Sequence, residues 1–207
     1  MSGSLSRADL VADLKASLQD AAKVFTAIND ADFNRHLDTA AQDMTCKRPR
    51  TMLGMLTLAA DQFNYPAPAD FFDFKSSLWG VSTQRVQPWD KRHPGRLPDV
   101  RSAMNGLTRE LHLLPAPSGL QINVLGASFK FYYYAAHSIG TLATDTTIQA
   151  GDRDLLLLRA QAEAMKEMAM RNISKPVAMR DGLSQGPRNG TPQYLFEQLM
   201  KLFQEAA

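Results

Sequence analysis

The chain predicts an α+β protein: a bundle of about four helices, an inserted antiparallel β-domain (a small sandwich or sheet), and an extended C-terminal arm. Three observations predict it. Apolar residues repeat at helical spacing near the two ends of the 207-residue chain. Between them lies a stretch rich in proline and aromatic residues, in which runs such as SFKFYYYAA alternate with a period of two. The third is Asp152–Asn172, DRDLLLLRAQAEAMKEMAMRN, the longest uninterrupted helical signal. The division that follows is 1–50 as a helical hairpin, 51–137 as the β-rich insert, 138–173 as a central helix and 174–207 as a docking arm.

Taking the elements in order, Ser6 and Asp9 form a capping box with Asp in place of the usual Glu. Leu10, Leu14, Leu18, Ala21 and Phe25 then continue one stripe, which predicts a helix over 7–26. Asn29 and Asp30 suit the cap of a second helix, 31–46, with Phe33, Leu37, Ala40, Ala41 and Met44 on its buried side. Pro49 stops it, and the pair reads as an αα-hairpin. Beyond it Asp61-Gln62 suits a turn, and Tyr65 and Ala67, each preceding a proline, require extended backbone. Residues 81–106 read as a long loop held by Trp89 and some local pairing. Glu110–Pro115 and Gln121–Leu125 read as strands about the turn Ala116–Gly119, and Ser128–Ala136 as a third. That third strand is aromatic on both faces, so it is covered twice or its outer face meets a neighbour.

In Asp152–Asn172, Asp152 suits the N-cap and Asp154 the first turn, where the helix dipole favours negative charge. Leu155 to Leu158 span more than one face, and Ala162, Met165, Met168 and Ala169 carry a stripe onward. Such a helix needs partners on two sides, from a second layer of its own fold or from another subunit. Thr191-Pro192 starts a last helix, 192–205, after the glycine-rich stretch 175–190. A helix on such a tether suits a docking arm.

Composition narrows the function. Net charge is +2, apolar content 44% and charged content 21%, which suit a soluble globular protein and not a polycation. No run approaches the roughly 20 apolar residues of a membrane span, and the N-terminus reads as cytosolic. Cys46 is the single cysteine, and His36, His93, His112 and His137 share no ligand spacing, so no metal site and no cofactor is expected. Gly182-Leu183-Ser184-Gln185-Gly186 matches the hydrolase nucleophile-elbow pattern, but its flanks supply neither a buried strand nor a helix and no histidine follows. An assembly protein without catalytic activity fits better than an enzyme. Charge is uneven, with four basic and seven acidic residues in 1–46 against nine and five in 47–101. Lys47, Arg48, Arg50, Lys91 and Arg92 are therefore candidates for DNA, a channel wall or a tail-facing surface, and the alternative function is a DNA-binding or packaging-associated module.

One resemblance sharpens this. Asp32–Arg50, LTLAADQFNYPAPADF at 56–71, LHLLPAPSGLQINVLGASFKFYYYAAH at 111–137 and LLLLRAQAEAMKEMAMRN resemble head–tail connector (adaptor, head-completion) proteins of tailed double-stranded DNA phages. Leu56, Leu58, Ala60, Tyr65, Pro68, Asp70, Leu111, Leu113, Pro115 and Pro117 carry the likeness. It implies a virion neck protein assembled in the host cytoplasm as a ring of about twelve copies. The ring would sit under the portal protein, let genomic DNA pass non-specifically and offer a surface to a tail, stopper or nozzle protein, with no membrane involved. On that reading Leu155, Leu156, Leu157, Met165 and Met168 make the subunit contact. Lys175, Arg180, Arg188, Tyr194, Leu195, Leu199 and Phe203 make the portal-docking arm.

Overall fold

The computed structural model describes residues 5–81, 86–171 and 191–207. The protein is α+β, with two compact units: 1–48 with 137–207, and 49–136.

The first unit is helical. Helix α1 (Arg7–Leu18) starts at the expected capping box, Ser6 accepting from the Asp9 amide while the Asp9 side chain accepts from the Ser6 amide. It stops well short of residue 26, because Gln19 takes a φ of 51° that an α-helix cannot continue. A 3-10 segment, Gln19–Val24, carries the chain on to buried Phe25. Helix α2 (Ala31–Lys47) begins after Asn29 and Asp30, both left-handed at φ 56°, a conformation that Asn and Asp tolerate better than most residues. Asp30 holds the N-cap position but makes no side-chain cap, since its carboxylate meets Lys15 at 2.6 Å. Helix α4 (Arg153–Arg171) and helix α5 (Pro192–Ala206) follow the insert, and α5 has Thr191 as its cap and Pro192 in its first turn. Leu10, Leu14, Leu37, Ala40, Met44, Leu156, Ala160 and Ala164 are wholly buried in one core, which Phe203 of α5 also enters.

The second unit holds two three-stranded antiparallel sheets. Strands β1 (Arg50–Thr57), β6 (Ser128–Ala135) and β3 (Phe71–Ser77) pair in that order, as do β2 (Asn64–Pro66), β5 (Thr108–Leu114) and β4 (Asp99–Asn105). Phe129, Phe131 and Tyr133 alternate inward along β6 and form a core with Phe71, Trp79, Leu111 and Leu113.

Three expectations fail here. Gln121–Leu125 is no strand but part of helix α3 (Gly119–Leu125), which Ser118 and Gln121 cap reciprocally. The end of the expected long loop is strand β4, turned into β5 through Gly106-Leu107 with Gly106 at φ 62°, where glycine is at no steric cost. Trp89 does not hold that loop, being 82% exposed; Trp79 is the buried one, its indole N–H donating to the Gly126 carbonyl at 2.9 Å.

Gly54 stands directly opposite Phe131 in the β1–β6 register, and a Cβ on it would lie 2.5 Å from the ring. Since Phe131 is wholly buried among Phe74, Phe129 and Tyr133, it has nowhere to retreat. Gly54→Ala should therefore lower unfolding free energy by about 1–3 kcal/mol in urea titration, despite alanine's better strand entropy.

Candidate functional site

Helix α4 is where the sequence places the subunit contact, and the structure puts it inside the chain. No residue from Leu155 to Met165 is exposed. Leu156 and Met165 belong to the chain's own core, and Leu155, Leu157 and Met168 pack against it. The second partner that this helix requires is α5, whose Phe196, Leu199 and Phe203 join the cluster that α1 and α2 form with α4. Leu156 and Met165 are therefore not available to a neighbouring subunit.

Charged residues on α4 lock it to the hairpin. Arg153 pairs with Asp13 of α1. Arg159, 7% exposed, is held between Asp43 of α2 and Glu163 one turn along. At the far end Glu167 accepts from Arg35 at 2.6 Å and from Arg171, and lies 2.7 Å from His36 Nε2. His36 is wholly buried, with the rings of Phe25 and Phe33 set edge-on to it at 5.0 and 6.4 Å. Burial pushes the Glu167 carboxyl up, but hydrogen bonds from His36, Arg35 and Arg171 outweigh that and hold it down at about 2. Arg171 and Arg35 also reach Asp32, so two carboxylates and two guanidiniums form one network, in which Glu167 is the member that meets the imidazole.

The candidate DNA-contacting cations are mostly committed elsewhere. Arg48 pairs with Asp152 at 3.1 Å. Arg50 donates to the Ala136 carbonyl and pairs with Asp70, whose other oxygen accepts from the Tyr133 hydroxyl at 2.9 Å. Burial first, and then that hydrogen bond, push the Tyr133 phenol up to about 12. Arg92 holds Asp90 down at about 2 through side-chain and backbone hydrogen bonds. Only Lys47 and Lys91 of the five make no ion pair among the described residues.

In the predicted docking arm, Phe203 and Leu199 face the chain's own core, Tyr194 is half-buried and Leu195 is exposed. Lys175, Arg180 and Arg188 lie outside the described residues, as does Ser184. Among the described residues no group of three His, Cys, Asp or Glu is placed to hold a metal, and no helix is long and apolar enough to cross a membrane.

Sequence reasoning flagged the aromatic outer side of the third strand but named no site residue on the β1–β6–β3 sheet. The pairings Leu53 with Tyr132 and Met55 with Lys130 put those four side chains on the face opposite Gly54 and Phe131. Leu53 is 56% exposed, Met55 67% and Tyr132 37%. Lys75 sits over the Tyr134 ring on the same face, 5.1 Å from its centroid, and hydrogen-bonds Thr51. The doubly aromatic pattern of β6 was the available signal, and its outer face is the uncovered one. A second apolar surface is a groove of about 550 Å³ beside the β4–β5 hairpin, where Phe72, Met104 and Leu107 are exposed.

No family model matches and no curated protein matches. A solved structure described as "Neck of native GTA particle computed with C12 symmetry" aligns with 91% of this chain and 86% of its own, at 14% identity and a TM-score of 0.29. A score that low does not establish a common fold.

Two outcomes follow for α4. Leu156→Ala should cost about 2–5 kcal/mol of stability, measured by denaturant unfolding of the isolated chain and not through any change in assembly alone. Glu167 has a carboxyl pKa lowered from 4.5 to about 2 on folding, so its contribution is complete above pH 4.5 and lost as pH falls towards 2. Thermal midpoints across that window should fall more steeply for the wild type than for Glu167→Gln, which should be the less stable of the two at neutral pH.

Proposed function

We propose that the chain is a structural head-to-tail adaptor of a tailed phage-type virion, without catalytic activity. Its copies, about twelve, form a ring that docks under the portal, extends the DNA channel and presents an attachment surface to a tail, stopper or nozzle protein. The sequence resemblance to connector proteins motivates this reading. The observation that supports it best is the uncovered sheet face of Leu53, Met55 and Tyr132, because an antiparallel sheet open to water ordinarily alternates apolar-in with polar-out. An exposed apolar cluster of this kind, bordered by Thr51, Lys130 and Asp73 on the same face, suits a surface meant for another protein.

On this reading the ring contacts lie on exposed residues, since α1, α2 and α5 already pack around the leucines of α4 within one chain. The competing reading is a DNA-binding or packaging-associated module; Arg48, Arg50 and Arg92 of its five candidate cations already face Asp152, Asp70 and Asp90 within the chain.

Mixing the purified chain with its portal and imaging the product by electron microscopy tests the proposal. A ring stacked coaxially on the portal is the expected image, and no complex under any condition would sink it. Binding to duplex DNA should be weak, and Lys47→Ala with Lys91→Ala should leave it nearly unchanged. A steep salt dependence that those substitutions flatten would favour the DNA-binding alternative.

A further inference from the structure

The outer sheet face has a counterpart on the same chain. Along α5, Leu195 and Leu202 are exposed two turns apart, while Phe196, Leu199 and Phe203 turn inward to the bundle core. Seven residues span about 10 Å of helix, so the two leucines form one stripe with Gln198 between them and Glu205 beyond. Glu197 and Glu205 are exposed beside that stripe, against the single cation Lys201, which lies 3.9 Å from Glu205 with both side chains still mostly exposed. The sheet face carries the complementary set. Leu53, Met55 and Tyr132 supply its apolar centre, and Leu78 continues it, since the Leu78 amide donates to the Lys130 carbonyl at the end of the same row. Its lysines, Lys75 and Lys130, outnumber its single carboxylate, Asp73.

A sheet with one face in the core needs a second layer on the other if that face is apolar, and an amphipathic helix is the usual cover. Leu53, Met55, Leu195 and Leu202 all remain exposed within the chain, so one copy does not satisfy them. We propose that the outer stripe of α5 from one copy packs on the outer face of the β1–β6–β3 sheet of the next, with Glu205 beside Lys130. The two patches differ, so the contact is heterologous: it repeats from copy to copy, and closes to a ring when the rotation allows. It deepens the ring reading of the previous section, which does not depend on it.

Disulfide capture on the full chain tests this. In a Cys46→Ser background, Met55→Cys combined with Leu202→Cys should give a ladder of cross-linked multimers under mild oxidation. Mixing the two single-cysteine chains should give dimers and stop there. Leu107→Cys combined with Leu202→Cys, which places the thiol on the hairpin instead, should give no ladder. Lys130→Glu in the cross-linking background should cut the yield about tenfold, and adding Glu205→Lys should restore it. Absence of the ladder at a concentration where sedimentation shows multimers would overturn the inference and leave the adaptor reading standing. Absence of both ladder and multimers would overturn it too. A ladder with no portal complex would uphold the contact while removing the adaptor reading. Loss of the ladder on adding a single-stranded oligonucleotide, with the Tyr132 signal quenched, would reassign the face to nucleic acid and overturn the proposal.

Discussion

Enclosing α4 is the constraint on which the helical unit depends. Nineteen residues of helix carry leucines, alanines and methionines on more than one side, and water on any of those sides would leave apolar surface unburied. Ala160, Ala162 and Ala164 are wholly buried, and residues that small let neighbouring backbones approach closely. The same enclosure dictates the chemistry of the charges. Arg159 and Glu167 cannot be surrounded by apolar side chains unpaired, so each is met by partners from α2 and from its own helix. The pair of Arg159 with Asp43 thereby favours the rotation of α4 that brings the two together.

The β unit solves a different problem. Its inner face is stacked with rings, Phe71 on Tyr133 and Phe74 on Phe131, and Gly54 leaves room for the Phe131 ring. Aromatic burial on that scale anchors six short strands, one of them only three residues long, that would not hold on hydrogen bonds alone. Arg50, Asp70 and Tyr133 add a polar closure at the margin of this core.

Much of this was legible in the sequence, and the failures have causes. The helices of the bundle were readable because stripes such as Leu10-Leu14-Leu18 and Phe33-Leu37-Met44 keep one period over several turns. Helix α3 was misread because five apolar-rich residues fit either state; the deciding signal was the Ser118–Gln121 capping box just before them. Strand β4 was missed because DVRSAMN has few large apolar residues and gains its place by pairing along β5. The excess apolar surface of α4 was legible, but not that α5 of the same chain packs against it, because sequence shows that a face needs cover but not which element supplies it. Helix α5, separated from α4 by a glycine-rich stretch, looked like an arm for another protein when its Leu199 and Phe203 belong to this core.

The β unit leaves and rejoins the helical chain at nearly one place. Arg50 pairs with Ala135 at its two ends and hydrogen-bonds the Ala136 carbonyl. Within the helical unit, the His137 amide donates to Thr45 and its imidazole meets the Arg48 carbonyl at 2.9 Å. The residues of the β unit, 49–136, therefore begin and end about one strand-spacing apart, and loop-closure entropy rises only slowly with the length of chain between such ends. To the bundle the whole β unit is equivalent to a tight turn between α2 and the segment leading to α4. Evolution can thus lengthen, trim or exchange that unit at little cost to the helices, which makes the junction a graft point where the β unit can change while the helical scaffold persists.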